Sequence, residues 1–193
     1  NGAASTTAAA VNNGSSDNCA ITSYTLSQTA FTCAHLGANN VTLTVQDAAG
    51  NTHTATAVVT VQDNIDPTIT APANVTVNVD NSTSCTATNV ALGNATTADN
   101  CSVASTTNNS SEPYALGATT VTWTVTDGSG NTATATQTVT VVDNINPTVV
   151  TQNVTVYLDA TGSAVILPAT VDNGCTDNCS GLTLVVTPNI MSC

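Results

Sequence analysis

The sequence predicts an all-β fold, a linear array of small β-sandwich modules, on three observations: period-2 alternation, β-branched composition and an internal repeat. Val121, Trp123 and Val125 alternate with Thr122, Thr124 and Thr126, as in a strand with one buried face. Ala133, Ala135, Val139 and Val141 alternate with Thr134, Thr136, Thr138 and Thr140 in the same way. Between them lies Asp127-Gly-Ser-Gly-Asn131. Its glycines accept positive φ and its Asp and Asn bond their own backbone, so the pair reads as a β-hairpin. Hydrophobic residues make up 41% of the 193 but aromatic residues only 3%, and Thr is about a fifth. This assigns the cores to Val, Ile, Leu and Ala and the outer faces to Thr.

The hairpin occurs twice. Val41-Thr-Leu-Thr-Val-Gln-Asp47-Ala-Ala-Gly50-Asn51 stands 80 residues ahead of its second copy, and the copies run into matching connectors, Asp63-Asn-Ile-Asp-Pro67 and Asp143-Asn-Ile-Asn-Pro147. A period of that size points to small modules in series. Residues 1–62 form a partial module without its opening strand, residues 63–142 a complete one, and residues 143–193 the N-terminal part of a third. In the complete module, Thr68-Ile-Thr70 and residues 75–79 read as a leading strand pair. A short strand at Val90-Ala-Leu92, then Asp99-Asn-Cys101, Leu116-Gly117 and the hairpin follow. Val11-Asn-Asn-Gly-Ser-Ser-Asp-Asn-Cys19 matches Val171-Asp-Asn-Gly-Cys-Thr-Asp-Asn-Cys179 at an offset of 160, which orders the modules A, B, A. Residues 1–10 lack the basic region and apolar core of a signal peptide.

The chain has no Lys and no Arg against twelve acidic residues, for a net charge of −12. Nucleic acid needs cationic side chains, so it is a poor partner. No basic segment exists to attract anionic lipid, and no apolar run approaches the roughly 18 residues of a spanning helix, so membrane insertion is not expected. Internal ion pairs require His35, His53 or the amino terminus.

Seven cysteines in a chain rich in Thr, Asn and Asp suggest an oxidising, extracellular setting. Spacing pairs Cys19 with Cys33, Cys85 with Cys101 and Cys179 with Cys193, each closing a loop of about fifteen residues worth roughly 3 kcal/mol in the chain-entropy model. Cys175 is left unpaired, with a partner beyond the window, a free thiol or an interchain bridge as the alternatives.

The succession Asp-Asn-Cys, Leu-Gly, Val-Thr-Trp-Thr-Val-Thr-Asp-x-x-Gly-Asn and Val-Thr-Val-Val-Asp with a following Pro resembles the hyalin repeat (HYR) module. The resemblance implies immunoglobulin-like β-sandwiches and a role in adhesion, with no catalytic residues to carry over. Tandem runs in this Thr/Asn/Asp-rich dialect are similar to repeats of giant surface adhesins of gliding bacteria that leave the cell by type IX secretion. Family modules often carry a cysteine in the last strand. Ala55 and Ala135 stand there in this chain, so the usual bridge to that strand is absent.

Asp63, Asp66 and Asp143 at the junctions are the candidate metal ligands, for calcium, which takes oxygen donors from carboxylates and loop carbonyls. The competing reading of the Asp residues is turn capping. His35 and His53 have Ala115 and Ala133 in their places one repeat later and read as surface residues. Asn13, Asn40, Asn74, Asn81, Asn94, Asn108 and Asn153 lie in Asn-x-Ser/Thr sequons and are candidate glycosylation sites. The function expected is that of a disulfide-stapled structural and adhesive rod on a cell surface, not an enzyme. Its partners would be neighbouring similar modules, surface glycans or a host or other substratum surface. The alternatives are a filament subunit that polymerises head to tail by strand complementation and a calcium-dependent glycan-binding module.

Overall fold

The computed structural model describes residues 2–179 and 181–192. The fold is all-β, as composition and alternation predict. In chain order the strands are β1 (Ala3–Ser5), β2 (Ile21–Leu26), β3 (Ala30–Thr32), β4 (Gly37–Asp47) and β5 (Thr52–Val61). Next come β6 (Thr68–Thr70), β7 (Val75–Asn78), β8 (Thr86–Ala87), β9 (Thr96–Ala98) and β10 (Val103–Asn108). The last are β11 (Tyr114–Ala115), β12 (Gly117–Asp127), β13 (Thr132–Val142), β14 (Ser163–Val165) and β15 (Ile190–Ser192). The four-residue helices α1 (Ala8–Val11) and α2 (Pro168–Val171) interrupt them. Among the described residues no helix is long and apolar enough to cross a membrane.

The chain divides into two compact units. The first comprises Asn1–Ala71, Ala95–Asn108 and Trp123–Ala135, and the second Pro72–Asn94, Asn109–Thr122 and Thr136–Cys193. In the first, β2, β4 and β5 make an antiparallel sheet in that order, and β1 pairs with β3. Phe31, Val41 and Leu43 are buried there, as are Trp123 and Val125 from the turn-side half of β12. β6 pairs with β9, and β10 with the end of β12. Both β2 and β10 slip register at the same place in their pairing, after Ile21 and after Val103, so the repeat extends to a shared bulge.

In the second unit β7 lies parallel to β13, Val139 facing Val75, while β8 pairs with β11 and β14 with β15. Val121, Val139, Val141, Tyr114 and Ala87 are buried, together with the uncharged polar side chain of Gln137. The β14–β15 pair reproduces β1–β3 at an offset of 160, Ser163 on Ser192 as Ala3 on Thr32, and α2 follows β14 as α1 follows β1.

The expected leading strand pair is corrected. β6 and β7 do not pair with each other: β6 joins β9 and β7 joins β13. Pro72 lies between them and has no N–H for a ladder, so the chain changes partner across residues 71–74. Residues 90–92, expected as a strand, carry no regular structure, and Leu92 gives its carbonyl to the Gln137 amide instead (2.9 Å).

Candidate metal centre

Local turn chemistry fixes each acidic side chain before the fold assembles them. At the β12–β13 turn, Asp127 Oδ1 accepts the backbone N–H of Ser129 (2.9 Å) and Asn131 (2.7 Å), and its Oδ2 accepts the Asn131 amide (2.7 Å). Gly130 takes φ +95°, the left-handed conformation that closes the turn. The β4–β5 turn repeats this arrangement with Asp47, Asn51 and Gly50. In the loop after β9, Asp99 Oδ2 accepts the N–H of Cys101 (2.8 Å) and Ser102 (2.9 Å). In the connector, Asp63 Oδ1 accepts the N–H of Ile65 (3.2 Å) and the Asn100 amide (3.1 Å).

Strand pairing then brings the three together. Thr68 opposite Ala98 sets the connector beside the Asp99 loop, and Val103 opposite Asp127 sets that loop beside the turn. The amide of Asn131 closes the group by donating to the carbonyls of Asp63 (3.2 Å) and Ile65 (3.4 Å). One carboxylate oxygen each from Asp63, Asp99 and Asp127 lies within 4.8 Å of the others. Asp127 is 2% exposed, and Asp63 and Asp99 are half-buried. Burial pushes the Asp127 carboxyl up, but the hydrogen bonds from Asn131, Ser129 and Gly130 outweigh it and hold the group below the ordinary carboxylate value. Asp63 Oδ2, Asp99 Oδ1 and the neighbouring Asn100 Oδ1 are buried and accept no hydrogen bond.

The sequence-predicted ligands separate. Asp63 belongs to the cluster; Asp66 is exposed and outside it. Asp143 lies in the second unit, where its Oδ1 accepts from Ile145 N–H (3.0 Å) and the Asn178 amide (3.4 Å). Asp99 and Asp127, read from sequence as turn residues, supply the other two carboxylates. The signal was there to find: each of the three kinds of Asp, in a connector, in Asp-Asn-Cys and in a hairpin turn, recurs at the repeat period, and residues 63–142 carry all three together.

The disulfide pairing is also corrected. Cys33 bonds Cys101 and Cys85 bonds Cys179, across 68 and 94 residues, with Cα separations of 5.4 and 5.0 Å. Cys19–Cys33, Cys85–Cys101 and Cys179–Cys193 therefore do not form; Cys193 itself lies outside the described residues. Short loops cost least to close, but a bridge requires converging Cα–Cβ vectors, and only long-range strand pairing supplies them. Cys19 is exposed and free. Cys175 is free as well, its sulfur 3.3 Å from Val150 O. Its hydrogen bond to the Asp172 carboxylate raises the thiol above its ordinary value and lowers Asp172. Asn13, Asn40, Asn74, Asn81, Asn94, Asn108 and Asn153 are all exposed. His35 Nδ1 lies 3.0 Å from the Thr32 N–H, a local cap.

Comparison with known proteins gives one family: the HYR domain matches residues 62–141. No curated protein sequence matches the chain. Among solved structures, extracellular cadherin domains 1–4 of protocadherin gamma B7 align at 13% identity and a TM-score of 0.37. That alignment covers 83% of this chain and 51% of the other, so the chain spans about half the length of that structure.

Proposed function

We propose, from the HYR domain carried at residues 62–141, that this chain is a structural and adhesive segment of an extracellular surface protein. In this reading it is a tandem series of immunoglobulin-like modules, 1–62, 63–142 and 143–193. The observation that carries the reading is the pair of disulfides. Each runs from one sequence repeat into the next: Cys33 to Cys101, then Cys85 to Cys179. Each bridge also lies inside one compact unit, Cys33–Cys101 in the first and Cys85–Cys179 in the second, so segments of successive repeats are locked together within a packed unit. Such bonds persist in an oxidising compartment, which supports a location outside the cytoplasm. Its Thr-rich faces and uniform negative charge suit contact with hydrated glycans or a substratum and discourage lateral clumping.

The test is retention under flow. Beads coated with the chain are washed over glycan-bearing and bare surfaces beside beads coated with reduced, alkylated chain. Stronger retention by the native chain is expected, and equal retention removes the adhesive part of the reading.

Filament assembly by strand complementation is favoured by a different observation. β13 carries β7 as a parallel neighbour, whereas β5, one repeat earlier, is an edge strand among the described residues. Residues 154–158 (Val-Thr-Val-Tyr-Leu) resemble 75–79 (Val-Thr-Val-Asn-Val) and are exposed, with Tyr157 at 88%. Such a segment can add to a neighbour's open edge. Sedimentation across a hundredfold concentration range decides it: growth in mass supports assembly, and a constant 19.2 kDa species opposes it.

A further inference from the structure

We propose that Asp63, Asp99 and Asp127, with Asn100 beside them, bind one calcium ion. Three carboxylates with an oxygen each inside a 4.8 Å span repel one another. Most proteins would place a guanidinium or ammonium among them, but this chain contains no Lys or Arg. Their neutralising charge has to come from elsewhere.

The oxygens identify the kind of charge. Asp63 Oδ2, Asp99 Oδ1 and Asn100 Oδ1 are shut off from solvent and accept no hydrogen bond, a costly state for carboxylate and amide oxygens unless something else satisfies them. A cation held among the three carboxylates would supply a partner to the Asp63 and Asp99 oxygens at once. The opposite oxygens of Asp63 and Asp99 are anchored, by Ile65 N–H and by Cys101 and Ser102 N–H, and both oxygens of Asp127 are held by its own turn. The free oxygens are thereby held in place before an ion arrives.

The donors are all oxygen, with no imidazole or thiolate in the cluster, which selects a hard cation over zinc or copper. Calcium, with bonds of about 2.3–2.6 Å and a flexible coordination geometry, spans oxygens that lie within 4.8 Å of one another on irregular loops, whereas magnesium demands a near-ideal octahedron.

The second unit carries the same construction in part. Asp143, Asp177 and Asn178 repeat the Asp63, Asp99 and Asn100 hydrogen bonds, and Asp177 Oδ1 and Asn178 Oδ1 again lack a partner. No third carboxylate joins them among the described residues. The chain as it stands therefore takes one ion.

Equilibrium dialysis of the full chain against radiolabelled calcium tests this, with thermal melting alongside. One ion per chain is expected, with a dissociation constant on the order of 0.1–1 mM, the range of extracellular modules. Saturation should raise Tm by about 5 °C. Asp99→Asn should weaken binding at least tenfold and abolish the calcium-dependent part of the Tm, while Asp66→Asn and Asp177→Asn bind as the parent does. Circular dichroism in chelator shows whether Asp99→Asn is folded; if it is not, Asp63→Asn takes its place. No bound ion at about 10 mM calcium, ten times the weakest affinity expected, would overturn the proposal, as would an unchanged Asp99→Asn or equal displacement by equimolar magnesium.

Discussion

An amide with none of its surface exposed, Gln137 donates to the carbonyls of Ala73 (2.7 Å) and Leu92 (2.9 Å) from a position where the alternation of β13 calls for an apolar residue. Those carbonyls belong to segments without a ladder of their own, so the side chain replaces a missing strand partner. Gln137→Leu keeps the volume and leaves two acceptors unsatisfied; a loss of about 2–3 kcal/mol is expected from urea unfolding. Gly130→Ala places a Cβ at φ +95° and should cost about 1 kcal/mol by the same measurement. The turn carboxylates set the acid limit. Hydrogen bonds hold Asp47 (chiefly the Asn51 amide) and Asp159 (chiefly the Thr161 hydroxyl) below the 3.8 of a free side chain. A depressed folded value contributes stability that is complete above the unfolded value and lost as pH falls through the folded one. The urea midpoint should therefore hold from neutrality to about pH 5 and fall below about pH 4; a midpoint that rose on acidification would contradict this.

Among the elements, the hairpins β4–β5 and β12–β13 were legible because everything that makes them is local: alternation within each strand and an Asp-x-x-Gly-Asn turn between. The partners of β6 and β7 were not, since nothing within a three- or four-residue strand tells which edge it will meet. The cysteines failed for the same reason. Cys33 and Cys101 are 68 residues apart, and the β6–β9 pairing that positions the Asp99 loop carrying Cys101 is itself long-range. The carboxylate centre was half legible: Asp63 stood out at a junction, but Asp99 and Asp127 were already explained by their own turns and hid a second role behind the first. Replacing Cys33 and Cys101 together by Ser frees a 68-residue loop and should cost about 4 kcal/mol in the chain-entropy model. Urea unfolding of the double variant checks that, and loss of the Cys85–Cys179 bridge should be at least as large.

For the whole molecule, the lack of Lys and Arg leaves ion pairing to two histidines and the amino terminus, so small Val-rich cores, backbone ladders, Asx turns and, among the described residues, two covalent links hold the fold. Those links overlap along the chain, because Cys85 precedes Cys101. A load applied at residue 33 and taken off at residue 179 need not travel the polypeptide between them. It crosses one bridge to residue 101, runs back to residue 85, and crosses the other. Fully unravelled, the polypeptide would extend roughly 500 Å, but the short circuit through two sulfur pairs limits it to roughly 65 Å. Single-molecule pulling between those points should find the short limit, and the long one once reductant is added. The segment thus behaves as an inextensible tether whose slack is released by electrons rather than by force.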